Sequence, residues 1–401
     1  MKILIMAAGS YGDVAPYTGL GAGLRQAGHQ VALAAPEAFA PLVASCGAEF
    51  RPLPADPYGG GGSAEGRTGL LGRVSAFIRA LGEGIAEAAA PGADLLLLST
   101  TTAPLGRHVA EATGAACLGA YLQPVAPTGE FPPVVGGGRS LGRWGNRAAG
   151  RLSLRVVDRL HADAVRQLRT RLGLPALGPG EARRREHAPW PVLHGFSPTL
   201  LPRPADWPAG LEVVGNWWPH DAGEELPAEV EDFLQAGPPP VFVGFGSMGG
   251  GEGERLTELT VRALRRAGVR GVLQSGRAGL SAAGDDILTV GELPHARLFP
   301  RTAAVVHHAG AGTTAAGLRA GVPAVPVPVT ADQPFWARRA AALGAATTPV
   351  PFRELSADRL ADAVRRAVGE PSYRARARAA AGRITAEDGL ARVVEAVAAL
   401  S

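Results

Sequence analysis

The sequence predicts an α/β protein of two doubly wound domains that face one another across a cleft. Three observations predict it. Short apolar runs alternate with helical stretches from Lys2 onward, the pattern of a parallel sheet with crossover helices. The alternation restarts at Val241, so one such set follows another. Each set opens with a strand that runs into a glycine loop, Gly9-Ser10-Tyr11-Gly12-Asp13 in the first and Gly246-Ser247-Met248-Gly249-Gly250 in the second. Ligands of such sheets bind at the carboxyl ends of the strands, so both loops should open toward one cleft. The domains are drawn as residues 1–205 and 206–370, with 371–401 a C-terminal helix that reaches back to the first domain.

In chain order, Lys2 to Ala8 reads as a buried strand, followed by a helix that starts near Pro16 and runs to Gly28. Strands at Gln30 to Ala35 and Glu49 to Leu53 flank a helix from Glu37 to Cys46. Asp56 to Gly69 is a loop rich in glycine and small polar residues. A helix (Leu70 to Ala89), a strand (Asp94 to Ser99), a helix (Pro104 to Thr113) and a strand (Ala115 to Tyr121) complete the regular part. Gln123 to Gly142 is a Pro/Gly-rich loop, and two helices follow, Leu141 to Gly150 and Arg151 to Leu172. Short strands at Val192 to His194 and Glu212 to Val214 bracket the proline-studded Pro198 to Pro208, the expected boundary between domains.

The second set has strands at Val241 to Gly244, Gly271 to Gln274, Ile287 to Val290, Ala303 to Val306 and Ala324 to Val327. Its helices are Glu254 to Ala267, one starting at Thr313, Asp332 to Leu343, Ser356 to Val368 and Ser372 to Leu400.

Composition narrows the class. The chain has 401 residues, 46% hydrophobic and 19% charged, an ordinary globular balance able to bury a large core. The formal charge is +4, and Lys2 is the one lysine. Arg183-Arg184-Arg185 is followed by Glu186 and has no interleaved aromatics, so it reads as a solvated loop and not as a nucleic-acid site. Cys46 and Cys117 lie far apart without metal-like spacing, so a reducing cytoplasm is the expected compartment. No signal-peptide cleavage pattern follows Met1, and no apolar run approaches the ~18 residues that span a bilayer.

The chemistry concentrates at strand ends. Val305-Val306-His307-His308-Ala309-Gly310-Ala311-Gly312-Thr313-Thr314 joins a buried strand, a turn of small residues and a helix start. The first N–H groups of a helix lack internal partners and carry partial positive charge, so this turn suits an anion. His308 adds a hydrogen-bond donor, and Gly310 and Gly312 admit close approach; alternatively the turn is only tight and the histidine packs. Asp13 is either the N-cap of the first helix or a general base at the cleft mouth. Asp332-Gln333 pairs a charged acceptor with an amide, which suits sugar hydroxyls, and Asp332 can also cap the helix it begins. His307-His308 are adjacent and their rings diverge, so no metal site is expected. No P-loop is present and no G-x-S-x-G follows a strand (Gly138-Arg139-Ser140-Leu141-Gly142 lies in the Pro/Gly-rich loop), which disfavours a serine hydrolase or P-loop NTPase.

These residues resemble the donor-binding signature of family 1 glycosyltransferases with the GT-B fold: the His307 to Thr314 turn, then Gly317-Leu318-Arg319-Ala320-Gly321-Val322-Pro323 and Asp332-Gln333. The resemblance is to the bacterial branch that groups sterol and antibiotic glycosyltransferases. Gly9-Ser10-Tyr11-Gly12-Asp13-Val14-Ala15-Pro16 is similar to its G-S-x-G-D-V-x-P motif, and Leu122-Gln123-Pro124, His194-Gly195-Phe196-Ser197 and Phe245-Gly246-Ser247-Met248 follow in order.

The resemblance implies an inverting transfer from a UDP- or dTDP-sugar to a hydroxyl of a small lipophilic acceptor such as a polyketide, macrolide, aromatic natural product or sterol. It gives the first domain to the acceptor and the second to the donor. Asp13, with Ser10, takes the catalytic position. His308, Gly310, Gly312, Thr313, Gly246 and Ser247 hold the diphosphate, Asp332 and Gln333 the sugar, and Ser275, Leu293 and His295 the nucleoside. The acceptor should meet Tyr11, Thr101, Gln123 and Phe131, placed by strand ends. No metal or cofactor is expected, and no nucleic-acid partner; a monomer or homodimer is. Three departures stand out. Ala309 replaces the usual glycine, which keeps the turn only if φ there is negative. Ala315-Ala316-Gly317 lacks the ribose-binding glutamate of plant members, and Glu292 stands where they stack a tryptophan on the base. An epimerase or hydrolase of the same fold, or a non-catalytic helper, are the other readings.

Overall fold

The computed structural model describes residues 1–55, 67–135, 139–178, 190–221, 223–246 and 252–400. The first sheet contains β1 (Lys2–Met6), β2 (Gln30–Pro36), β3 (Glu49–Leu53), β4 (Leu95–Leu98), β5 (Ala116–Tyr121), β6 (Val192–His194) and β7 (Leu211–Val213). They lie in the order β3-β2-β1-β4-β5-β6-β7, every pairing parallel. The second contains β8 (Val241–Gly244), β9 (Gly271–Gln274), β10 (Ile287–Val290), β11 (Ala304–His307) and β12 (Ala324–Pro326), in the parallel order β10-β9-β8-β11-β12.

Both faces of each sheet are buried, which is why these strands read as continuous apolar runs and not as alternating ones. Along β1, Ile3 and Ile5 enter one core cluster and Leu4 and Met6 the other. Strand order reverses between β1 and β4 and again between β8 and β11. Crevices at such switch points are where doubly wound sheets bind ligands. The loops there carry Ser10 and Asp13, Thr100, Gly246 and His308.

Several boundaries differ from the sequence reading. β7 pairs with β6, so the first domain runs past the 205/206 division, and Pro198 to Pro208 lies inside it. That stretch is pinned to the sheet edge: Trp207 stacks on His194 at 4.6 Å and Arg203 Nε donates to the Leu211 carbonyl at 2.6 Å. The chain then packs along helix Tyr11–Gln26, where a Cβ on Gly19 would lie 1.9 Å from the Trp218 carbonyl oxygen. Residues 142–171 form one helix, Gly142–Arg171, instead of two. Gly150 does not break it; it lets the helix approach Pro127, whose Cβ lies 3.0 Å from where a Gly150 Cβ would be.

The C-terminal segment is two helices, Pro371–Thr385 and Gly389–Ala398, split where Asp388 Oδ1 accepts the Ala391 N–H at 2.8 Å. Only the second reaches back. Val393 and Val397 join the core of the first domain, and Trp217 Nε1 donates to the Gly389 carbonyl at 3.2 Å. The first stays on the second domain, where Ala377, Ala380 and Ile384 share a cluster with Trp336. That cluster also contains Phe131, Phe196 and Leu200 of the first domain, so it is the apolar seam between the two. At this seam Arg339 Nε donates to the Leu200 carbonyl at 3.1 Å. No helix of the described residues is long and apolar enough to cross a membrane.

Candidate active site

Ser10, not Asp13, is the N-cap of helix Tyr11–Gln26, which begins five residues before Pro16. Asp13 occupies the third helical position and reaches back: its Oδ2 accepts the Ser10 N–H at 2.9 Å and the Ser10 hydroxyl at 2.8 Å. This arm of a capping box fixes the carboxylate at the helix mouth. Gln123 joins it from the end of β5, its Nε2 donating to Asp13 Oδ1 at 3.4 Å while its Oε1 accepts the Thr100 hydroxyl at 3.1 Å. The expected acceptor residue Gln123 is therefore tied to Asp13. Phe131 is only 8% exposed and packs on Phe335 at 5.2 Å, so it belongs to the seam between domains and not to an open wall. Tyr11 is 48% exposed beside Phe39, and Thr101 is exposed, both at the rim.

In the second domain the helix after β11 is Ala311–Arg319, with Gly310 as N-cap, two residues earlier than predicted. Thr314 N–H is the first to find its helical carbonyl, Gly310 at 2.9 Å, which leaves the Ala311, Gly312 and Thr313 amides at the open end. A Cβ on Gly312 would meet nothing within 4 Å, so space lies over these amides. The His308 ring lies between two glycines. A Cβ on Gly310 would be 2.6 Å from its Nε2, and one on Gly246 would be 2.8 Å from its Cε1. His308 Nδ1 is buried without a hydrogen-bond partner of normal geometry among the described residues. Burial pushes the imidazole down to about 4, with the Gly244 main chain opposing, so His308 is neutral at pH 7. It then donates as a neutral ring and not as a cation. Ser247 lies outside the described residues.

Ala309 has φ +64°, in the left-handed region, so the expected negative φ does not hold. Its N–H donates to His307 Nδ1 at 3.0 Å, which holds the turn in this conformation. Left-handed backbone costs a residue with a Cβ roughly 1–2 kcal/mol, partly offset by the lower unfolded-state entropy of alanine relative to glycine. Ala309→Gly is expected to raise stability by about 0.5–1 kcal/mol without changing activity, read as a higher urea midpoint at constant slope. The one other non-glycine residue of positive φ among the described residues is Ala331, at +55°, immediately before Asp332. Both left-handed alanines thus flank candidate ligand groups, where backbone strain tends to collect.

Asp332 stands at the N-cap position of helix Gln333–Ala342, but its side chain makes no capping bond; its Oδ2 instead accepts the Trp336 indole N–H at 2.9 Å. Its pKa is raised, first by burial and further by the charge of Asp13, while the Trp336 bond opposes. The two carboxylates therefore feel one another across the cleft, as the facing-domain reading requires. Gln333 Oε1 accepts the Val329 and Thr330 N–H groups at 2.9 and 3.1 Å. The chain itself thus takes up the accepting half of this amide, and only the Nε2 donors are left to serve a ligand.

His295 stacks on Phe299 at 4.2 Å, and burial pushes it down to about 4. Leu293 is half-buried, and the Ser275 hydroxyl donates to the Val290 carbonyl at 3.2 Å, bracing the ends of β9 and β10. No group of three or more His, Cys, Asp or Glu among the described residues is arranged to hold a metal ion.

Several buried histidines share a consequence. His194 and His307, 0% and 1% exposed, are pushed down to about 4 and about 3 by burial. Their folded pKa values lie below the unfolded value, so the unfolded chain binds more protons below pH 6.5. Stability is therefore full above that pH and lost as pH falls toward 4. Each contributes a slope of up to about 1.4 kcal/mol per pH unit in that window. The melting temperature is expected to drop steeply between pH 6.5 and 4.5; a flat profile there contradicts neutral burial.

Comparisons with known proteins identify the family of the chain. Residues 3–87 match the glycosyltransferase family 28 N-terminal domain, and residues 270–400 match the erythromycin biosynthesis protein CIII-like C-terminal domain. The chain is 38% identical, over 97% of its length and 95% of the relative's, to the O-mycaminosyltylonolide 6-deoxyallosyltransferase of Streptomyces fradiae. It is 33% identical to a sterol 3-beta-glucosyltransferase of Arabidopsis thaliana, over 99% of this chain and 65% of that longer protein. Among solved structures, the glycosyltransferase of kitacinnamycin superposes with a TM-score of 0.73 at 19% identity, covering 100% of this chain and 98% of that one. The glycosyltransferase VinC in complex with dTDP superposes with 0.69 at 22% identity, covering 100% and 99%. The chain belongs to the family 1 type of GT-B glycosyltransferases, in the group of antibiotic and sterol glycosyltransferases.

Proposed function

We propose that the enzyme moves a sugar from a nucleoside diphosphate, thymidine diphosphate ahead of uridine diphosphate, to a hydroxyl of a small lipophilic acceptor with inversion. The observation that carries it is the pairing of a buried, neutral His308 and an open helix start in one domain with a held carboxylate, Asp13, in the other. The relatives' names support the substrate classes, and the solved VinC complex supports thymidine diphosphate.

In this reading the acceptor oxygen attacks the anomeric carbon from the face opposite the diphosphate. The bond from that carbon to the phosphate oxygen breaks and its electron pair leaves with the nucleotide, while the hydroxyl proton passes to Asp13. The Ala311, Gly312 and Thr313 amides and His308 meet the charge that gathers on the leaving group, the electrostatic contribution that usually matters most. Asp332 and the Gln333 Nε2 face the sugar hydroxyls. Tyr11 and Thr101 line the acceptor side, and Leu293 and His295 the nucleoside side.

The test is transfer from dTDP- and UDP-sugars to a panel of macrolide, aromatic and sterol acceptors, followed by mass spectrometry in the presence of EDTA. Glycosylated product with EDTA present is expected. Sugar released from the donor without any acceptor points to a hydrolase or epimerase instead. A strict magnesium requirement contradicts the assignment of the diphosphate charge to His308 and the amides.

A further inference from the structure

Asp13 does not stand alone. Thr100 comes from the loop after β4, Gln123 from the end of β5 and Asp13 from the helix after β1, three strand ends that meet at the switch point of the first sheet. A glutamine amide has two ends of opposite character, and which end faces a carboxylate decides whether it attracts or repels. Here the Thr100 hydroxyl, 3.1 Å from Gln123 Oε1, has a lone pair to offer and a proton to give, and the oxygen can only take the proton. The carboxylate, which only accepts, decides the matter: Gln123 Nε2, 3.4 Å from Asp13 Oδ1, is the end that faces the base, and Oε1 is left to take the Thr100 proton. Ser10 meanwhile places two donors on the other oxygen, Oδ2.

We propose that Gln123 is a positioning residue for the base, braced at its far end by Thr100, and that the Thr100–Gln123 pair holds Asp13 Oδ1 as the oxygen that receives the acceptor's proton. This rests on the reading of Asp13 as general base. The division of labour follows from the contacts. Oδ2, held at 2.8 and 2.9 Å by Ser10, is the anchored oxygen. Oδ1, under the longer contact to Gln123, is the one whose load can lighten as a substrate hydroxyl arrives. A donor amide at Oδ1 interacts more favourably with a carboxylate than with a neutral acid, so its loss is felt by the base. Other titratable groups near Asp13 are few. Buried Tyr17 has a pKa raised by burial and then by Asp13, and Asp332 faces it from the second domain. Both are neutral or like-charged toward Asp13, whereas Ser10 and Gln123 place donors on it.

The experiment compares wild type with Gln123→Met, Thr100→Val and Thr100→Ser. Each is measured for kcat, donor KM and the pH profile of kcat/KM, and for stabilisation by dTDP as a check on folding and donor binding. Gln123→Met, which keeps length and removes the donor, is expected to lower kcat about tenfold, the loss of one hydrogen bond to a charged group. It should leave donor KM unchanged and move the acid limb of the profile to higher pH. Thr100→Val should shift the limb the same way by less, and Thr100→Ser should restore wild-type behaviour. Loss of turnover in Gln123→Met with an unmoved acid limb overturns the proposal, because a merely structural role does that. So does a wild-type rate and profile in Gln123→Met while Asp13→Asn abolishes transfer. If wild type transfers no sugar at all, the reading of the site fails and this assignment falls with it.

Discussion

Asp13→Asn is expected to lower kcat by roughly 10²–10⁴, the contribution of a positioned general base. Asparagine keeps an oxygen able to accept from the Ser10 N–H and hydroxyl, the bonds that Asp13 Oδ2 takes now, so the helix mouth survives the change. The thermal midpoint should fall only modestly, since the two charge-assisted bonds from Ser10 become neutral ones and the Gln123 contact to Oδ1 is lost. Binding of dTDP should be retained. The measurement is single-turnover transfer alongside nucleotide binding: near-wild-type turnover in Asp13→Asn reduces Asp13 to a helix cap. Replacing Asp13 with alanine is a poorer test because it removes both the base and the anchor of Ser10.

His308→Ala is the second large effect. Loss of one donor to a developing negative charge typically costs a factor of about 10²–10³ in kcat. The ring also fills the space between Gly246 and Gly310, so its removal opens a gap in the wall of the diphosphate site. Gly310→Ala approaches the same outcome from the other side, because its Cβ would lie 2.6 Å from His308 Nε2 and displace the ring. For both variants kcat should fall and dTDP should bind more weakly. Because burial holds the imidazole down to about 4, the contribution of His308 should be independent of pH from about 6 to 8. A wild-type profile that loses activity on deprotonation of a group near pH 6.5 contradicts a neutral His308.

Much of this was legible in the sequence because the information is local. Short runs at glycine turns set β6, β8, β9 and β10 at their observed limits, and the alternation of strands and helices does the same for β3. The pairing of His308 with glycines at a strand end is a local pattern, and the open amides of Ala311, Gly312 and Thr313 lie at that same strand end. The capping arm of Asp13 was also written locally, as Ser10-x-x-Asp13, a pattern that places the carboxylate inside the helix. Pro16 concealed it, because a proline in the first turns looks like a helix start while being tolerated within one.

Other features have no local signature. Gln123 and Asp13 meet from 110 positions apart, and only the sheet order brings them together. Alanine gives no warning of left-handed backbone, so the conformations of Ala309 and Ala331 could not be read. β7 is legible as a strand to within one residue, but nothing in three residues says which sheet they join, and its pairing with β6 is what carries the first domain past residue 205. Phe131 was assigned to the acceptor by its place after a strand end, yet what it touches, Phe335, belongs to the other domain.

The claim that organises the account is that a nucleotide diphosphate rests on the His308 turn while the base waits opposite. Thermal stabilisation by dTDP in wild type, His308→Ala and Asp13→Asn tests it most directly. At about 100 times its dissociation constant the nucleotide should add about 2.7 kcal/mol of stability to wild type. The account predicts the same gain in Asp13→Asn and a much smaller one in His308→Ala at equal concentration. A full gain in His308→Ala, or no gain from any nucleoside diphosphate in wild type, contradicts it.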